Sequence, residues 1–174
     1  LSVGSLLALT AVVTADVLQT GIPVPLAILA GLALGGVLGM VNGLFVTQAK
    51  IPPFIATLGM MTLARGLALS YAGGKPITGL PDPFLAIGTG HVLGIPTPVW
   101  ITAVIYGVGL FVLTRTTLGR YVYAIGNNPE AARVAGLPVK LTTLSVYVIS
   151  GVLAAFAGMI LVARLDSAQP VMGI

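Results

Sequence analysis

Apolar residues run along this chain in long, nearly charge-free stretches separated by short clusters of Pro, Gly and charge. A helix that crosses a bilayer takes about 20 mostly apolar residues. Stretches of that kind occupy 1–18, 26–47, 54–71, 99–114 and 141–163. The pattern predicts about five membrane-crossing helices in an all-α, polytopic bundle, with 1–174 forming one transmembrane domain. No charge falls between Leu26 and Thr47, and Lys50-Ile51-Pro52-Pro53 closes that stretch. Gly21-Ile22-Pro23-Val24-Pro25 turns the chain before it, and Pro53 suits the first turn of the third helix. Trp100, a residue type at home in the membrane interface, stands at the start of the fourth. The connection 72–98 is rich in Gly and Pro and long for a simple loop, so a function or a short helix of its own is expected there.

The stretch 115–140 breaks the pattern, being polar and lying between two apolar runs. Its centre predicts a short helix over 129–135, punctuated at both ends. Asn128 is a suitable N-cap, Pro129 fits the first helical position, and Glu130 puts negative charge in the first turn, where the helix dipole favours it. Gly136 can take the left-handed conformation just past the end, and Pro138 prevents the helix from resuming. Two turns of helix are marginal alone in water, so flanking helices or a docked protein must hold them.

Gly31, Gly35, Gly39 and Gly43 recur every fourth residue in the second apolar stretch and so line one helix face. Such a stripe lets a neighbouring helix approach almost to backbone contact; the other reading is that it widens a conduction path. Gly151 with Ala155, and Ala154 with Gly158, suggest a second packing seam on the last helix. Arg65 falls inside the third apolar stretch, where a guanidinium costs about 3 kcal/mol even on lenient insertion scales. It is expected to face protein or water, with backbone carbonyls, Asp16 or Asn42 as partners, either as a structural pin or as lining of a path. Asn42, Thr57 and Thr62 are neutral hydrogen-bonding groups within the apolar stretches, able to meet a polar cargo or, for the threonines, to bond back to their own helix.

Composition agrees with a bilayer protein: 57% of residues are hydrophobic and 7% charged, where a soluble domain carries roughly a quarter charged. The net charge of +4 does not point to nucleic acid, because the basic residues are scattered and have no aromatic platform beside them. It does orient the bundle. With 115–140 cytoplasmic, Lys50, Arg115, Arg120, Arg133 and Lys140 lie inside, and only Lys75 and Arg164 lie at outer ends. The chain has no Cys, which excludes disulfides and thiolate metal sites. Its single His91 rules out paired-His zinc motifs, and its four carboxylates are scattered over separate segments, so no enzyme constellation or metal site emerges. Gly73-Gly74-Lys75 lacks both the following Ser or Thr and the leading Gly of a phosphate-binding loop, since Pro76 and Leu69 stand there. The opening inside an apolar run, without Met, is expected of a fragment of a longer protein.

Glu130-Ala131-Ala132 followed by Gly136 resembles the EAA loop of ABC-importer permease subunits, the cytoplasmic coupling helix that docks on an ATPase subunit. The wider run Leu118-Gly119-Arg120-Tyr121-Val122-Tyr123-Ala124-Ile125-Gly126-Asn127-Asn128-Pro129-Glu130-Ala131-Ala132-Arg133 is similar to permeases of the ribose, xylose and galactose type. Further pieces in that family's order are Leu1-Ser2-Val3-Gly4-Ser5, Phe54-Ile55-Ala56-Thr57-Leu58-Gly59 and Ala163-Arg164-Leu165-Asp166-Ser167-Ala168-Gln169-Pro170. Two departures stand out: Asn127 replaces a second Gly, and the Ile-x-Leu-Pro tail of the broader EAA pattern is absent after Gly136.

The resemblance implies a permease subunit in the cytoplasmic (inner) membrane that passes a ribose-like monosaccharide, driven by ATP hydrolysis on a partner. It implies a second permease copy, cytoplasmic ATPase subunits, an extracytoplasmic sugar-binding protein and surrounding lipid as partners. ATP and Mg would be bound by the ATPase, and no cofactor by this chain. Asn128, Glu130, Ala131, Ala132, Arg133 and Gly136 would make the ATPase contact, and Asn42, Thr57, Thr62 and Arg65 are candidates for the path. Permeases for branched-chain amino acids or nucleosides share much of this pattern. An ion-coupled secondary transporter would need mid-span carboxylates or broken helices, and no carboxylate lies mid-span. A membrane assembly protein would be compatible with the glycine seams but gives no reason for the capped helix.

Overall fold

The structure, a computed structural model, describes residues 2–173. Leu1, where the first predicted helix begins, lies outside the described residues. The helices are α1 (Val3–Gln19), α2 (Val24–Thr47), α3 (Pro53–Tyr71), α4 (Asp82–Thr89), α5 (Thr97–Arg115), α6 (Thr117–Asn127), α7 (Pro129–Val134) and α8 (Val139–Leu165). Two antiparallel two-residue ribbons join them, β1 (Ile77–Thr78) with β4 (Ser167–Ala168) and β2 (His91–Val92) with β3 (Ile95–Pro96). Helices α2, α3, α5 and α8 are long and apolar enough to cross a membrane. Helix α1, at 17 residues, is at the short end of the spanning range. The protein is thus an all-α, multi-pass membrane protein.

Helices α2, α3, α4 and α5 share one opening device: a proline in extended geometry at the N-cap, and a second proline in the first turn. The first-turn N–H groups have no intrahelical acceptor, so proline's missing donor costs nothing there.

Helix α1 is buried along most of its length and forms the centre of the bundle. Helix α3 lies on it through Ala56, Met60, Ala64 and Ala68, one residue per turn. Helix α8 runs antiparallel to α2. Gly35 faces Gly151 and Ala155, Gly39 faces Tyr147 and Val148, and Gly43 faces Leu144. The contact is backbone on backbone: a Cβ on Gly35 would stand 2.6 Å from the Gly151 carbonyl oxygen and 2.7 Å from the Ala155 Cβ. Gly31, one turn earlier, faces the Met159 side chain and, on α1, Thr14. The small residues of α8 divide between two neighbours. Gly151 and Ala155 meet α2, while Gly158 meets Leu7 of α1 and Ala154 joins the apolar cluster between α1 and α3.

The bundle end away from α6 and α7 is tied by polar contacts. The Tyr71 hydroxyl donates to Asp16 Oδ2 at 2.7 Å, Gln19 Nε2 to the Thr78 carbonyl at 2.8 Å, and the Leu80 N–H to Asp166 Oδ1 at 3.2 Å. The expected short helix within 72–98 is α4, which buries Phe84 and rests on α8 where Gly88 meets the backbone of Ala163. Beyond β4 the chain turns back into the bundle, burying Met172 and bringing Gly173 against Gly4. Helix α5 buries no residue and packs chiefly on α4 and α6.

Candidate functional site

The polar stretch 115–140 contains more than the short helix expected from its caps. Residues 117–127 form α6, an amphipathic helix capped by Thr116, whose hydroxyl oxygen accepts from the Gly119 N–H at 3.4 Å. Gly119 is buried in the corner between α5 and α6, where a Cβ would lie 2.6 Å from Leu113 Cα. Only a residue without a side chain fits that corner.

Helix α7 follows with both ends closed. Asn128 Oδ1 accepts from the N–H groups of Glu130 and Ala131, each at 3.1 Å. At the far end Gly136 adopts φ +78°, its N–H donates to the Arg133 carbonyl, and the Leu137 N–H reaches back to the Ala132 carbonyl, both at 3.0 Å. These two reverse bonds make a Schellman motif. Ala132 alone is buried; Glu130, Ala131, Arg133 and Gly136 face solvent, and Val134 is 89% exposed. Glu130 and Arg133 pair at 3.5 Å on the exposed side, a contact of little energetic weight in water. The result is a rigid, small-residue knob whose outer surface is free to meet another protein.

A second feature lies between α1, α2, α3 and α8: a pocket of about 380 Å³ that brings Asn42 and Thr57 together with Ser2, Tyr147 and Ser150. Asn42 is 1% exposed, and its Nδ2 donates to the Ser2 hydroxyl at 3.1 Å. Thr57 donates to the Pro53 carbonyl at 2.8 Å, which leaves its oxygen as an acceptor. Sequence reasoning reached Asn42 and Thr57 but missed Ser2, Tyr147 and Ser150, which are ordinary residues until the antiparallel seam sets α8 beside Asn42.

Thr62 and Arg65 do not line this pocket. Thr62 is exposed and donates to the Gly59 carbonyl at 2.8 Å, a bond within its own helix. Arg65 is half-buried and, among the described residues, pairs with neither Asp16 nor Asn42; Asp16 accepts from Tyr71 and Asn42 donates to Ser2. An unpaired guanidinium is costly against lipid tails. The face of α3 that carries it therefore requires water or more protein.

The four glycines of α2 are buried at their contacts with neighbouring helices, and Gly39 also borders the pocket that holds Asn42 and Thr57. Among the described residues no cluster of His, Cys, Asp and Glu is placed to hold a metal.

A family model described as branched-chain amino acid transport system / permease component matches residues 1–174. Among curated proteins, the ribose import permease protein of Haemophilus influenzae is 44% identical over 178 residues, covering 100% of this chain and 55% of that protein. The ribose import permease protein of Bacillus subtilis is 48% identical over 176 residues, covering 99% and 54%. The L-arabinose transport system permease protein of Escherichia coli is 40% identical over 174 residues, covering 100% and 53%. The chain thus spans about half the length of these relatives. No solved structure matches it significantly.

Proposed function

The chain belongs to the permease family described as branched-chain amino acid transport system / permease component, and we propose that it is part of the membrane-spanning subunit of an ATP-driven monosaccharide importer. The observation that carries the reading is α7: a helix closed at both ends, exposed on all sides but one, and joined within four residues to the long helix α8. The names of the relatives, which carry ribose, D-allose and L-arabinose, support a monosaccharide as cargo.

On this reading α7 is the coupling helix and its end of the bundle is cytoplasmic, which sets Lys50, Arg115, Arg120, Arg133 and Lys140 on the inner side. The subunit sits in the inner membrane, pairs with a second permease copy, and receives cargo from an extracytoplasmic sugar-binding protein. ATP and Mg belong to two cytoplasmic ATPase subunits, and this chain breaks no bonds. Closure of the ATPase pair displaces α7, and α8 carries the displacement into the bundle. The coupling requires that each nucleotide state favour one arrangement of the permease over the other; equal affinity would shift nothing.

The test is Gly136→Pro in the full-length permease, reconstituted with its ATPase and binding protein. Proline fixes φ near −65°, which the +78° at Gly136 excludes, and it removes the N–H donated to Arg133. Labelled ribose uptake and stimulated ATP hydrolysis are both expected to collapse while the protein still inserts. Unchanged uptake and hydrolysis would refute the docking assignment.

A further inference from the structure

We propose that the pocket lined by Ser2, Asn42, Thr57, Tyr147 and Ser150 is a transit subsite for one neutral, polyhydroxylated molecule, whose hydroxyls meet the side-chain oxygens of Thr57, Tyr147 and Ser150. The inference rests on the sugar-permease reading and names the place where this chain touches its cargo.

The starting point is a polar lining within an apolar bundle. Asn42 Nδ2 is engaged with Ser2, and Thr57, Tyr147 and Ser150 set three further oxygens around the same space. Asn42 lines a pocket of about 380 Å³. That volume has room for roughly a dozen waters and lies at the lower end of the range for small-molecule sites.

The chemistry of the walls selects the ligand. The Thr57 oxygen is an acceptor, its proton being donated to backbone carbonyls. The hydroxyls of Tyr147 and Ser150 make no side-chain hydrogen bond among the described residues and can donate or accept. A polyol presents groups that both donate and accept, in the same neutral currency. Phe54 adds an aromatic surface suited to the C–H face of a sugar ring. No Asp, Glu, Lys, Arg or His lines the pocket. A zwitterionic amino acid or an ion would shed its hydration there without a counter-charge, so the walls disfavour both. Phe54 is 65% exposed and Ser150 is exposed, which leaves the mouth open and suits passage better than tight retention.

The experiment uses the full-length permease with its ATPase and saturating binding protein, and two variants, Thr57→Val and Tyr147→Phe. Valine keeps the shape of threonine and removes only its oxygen, so folding is least at risk in that variant. Each lost hydrogen bond is expected to lower maximal ribose uptake about threefold to tenfold with ATPase docking intact. In parallel, Ser150→Cys in a permease freed of other cysteines is labelled with a small thiol reagent. Millimolar ribose is expected to slow the labelling, and valine to leave it unchanged. Uptake unaltered in both variants, or labelling that ribose does not slow, would overturn the subsite and leave the importer reading standing. Protection by valine equal to that by ribose would overturn the neutral-polyol assignment. A wild-type system that imports no sugar defeats the functional reading itself, whatever the pocket holds.

Discussion

Gly35→Ala and Gly66→Ala make the same chemical change on two helices and are expected to act in opposite directions. At Gly35 the new methyl would arrive 2.6 Å from the Gly151 carbonyl oxygen and 2.7 Å from the Ala155 Cβ. Non-bonded carbons settle at about 3.5–4.0 Å, so α2 and α8 must part by about 1 Å over that stretch. A gap of this size forfeits a quarter to a half of each contact it widens, and overpacking in a well-filled core costs about 1–3 kcal/mol. The obstacle is backbone, so no side chain can swing aside to relieve it. At Gly66 nothing lies within 4 Å of the added Cβ, and alanine is favoured over glycine in a helix by about 0.5–1 kcal/mol. For a chain of this length each kcal/mol moves Tm by about 2–4 °C. Thermal unfolding of the full-length permease in lipid nanodiscs, followed by intrinsic fluorescence, is expected to drop by about 2–12 °C for Gly35→Ala. Gly66→Ala should match or slightly exceed wild type. Equal Tm values for the two variants would refute the backbone-contact reading of the seam.

Asn128→Ala removes the acceptor of two N–H bonds at the start of α7. A lost N-cap costs about 1 kcal/mol, so amide exchange over 129–135 is expected to quicken about fivefold, with α8 unchanged as internal control; unchanged protection there would contradict the cap. Gly119→Leu drives a side chain into the backbone of Leu113 at the α5–α6 corner. Limited proteolysis around 113–120 should become faster than in wild type, and a variant as resistant as wild type would mean that the corner is looser than its geometry indicates.

The helices were legible wherever one physical signal dominated. Charge-free length marked α2, and paired prolines marked the starts of α2 and α3. The ends of α7 were readable because Asn128, Pro129 and Gly136 each suit one position and no other. Helix α6 is less legible: its apolar run over 122–125 is too short to mark a helix by length, and Thr116 is a cap visible only once Gly119 permits the corner. The side-chain partners expected for Arg65 do not meet it: Asp16 accepts from Tyr71, and Asn42 donates to Ser2, across the bundle. The pocket was half legible. Asn42 and Thr57 are conspicuous in apolar helices, whereas Ser2, Tyr147 and Ser150 join them only through the register of α8 on α2, and register between helices is a property of packing that a linear pattern does not carry.

That register also joins the two sites mechanically. Between α7 and α8 the backbone is closed by successive bonds: Leu137 N–H to Ala132, Val139 N–H to Leu137 at 2.8 Å, and Thr142 N–H to Pro138 at 3.0 Å. The connection is therefore an elbow with little slack, and a displacement of α7 moves the first turn of α8. Helices α2 and α8 form a pair in backbone contact at Gly35 and Gly151, so on the proposed reading a displacement of α8 is passed to α2. Tyr147 and Ser150 on α8, and Asn42 on α2, ride on that pair, while Thr57 belongs to α3, which contacts the bundle mainly through α1. On the proposed reading, a push at α7 therefore moves the Tyr147 and Ser150 wall of the polar pocket relative to Thr57, through a seam that is backbone on backbone at Gly35 and Gly39 and closed by side chains at Gly31 and Gly43.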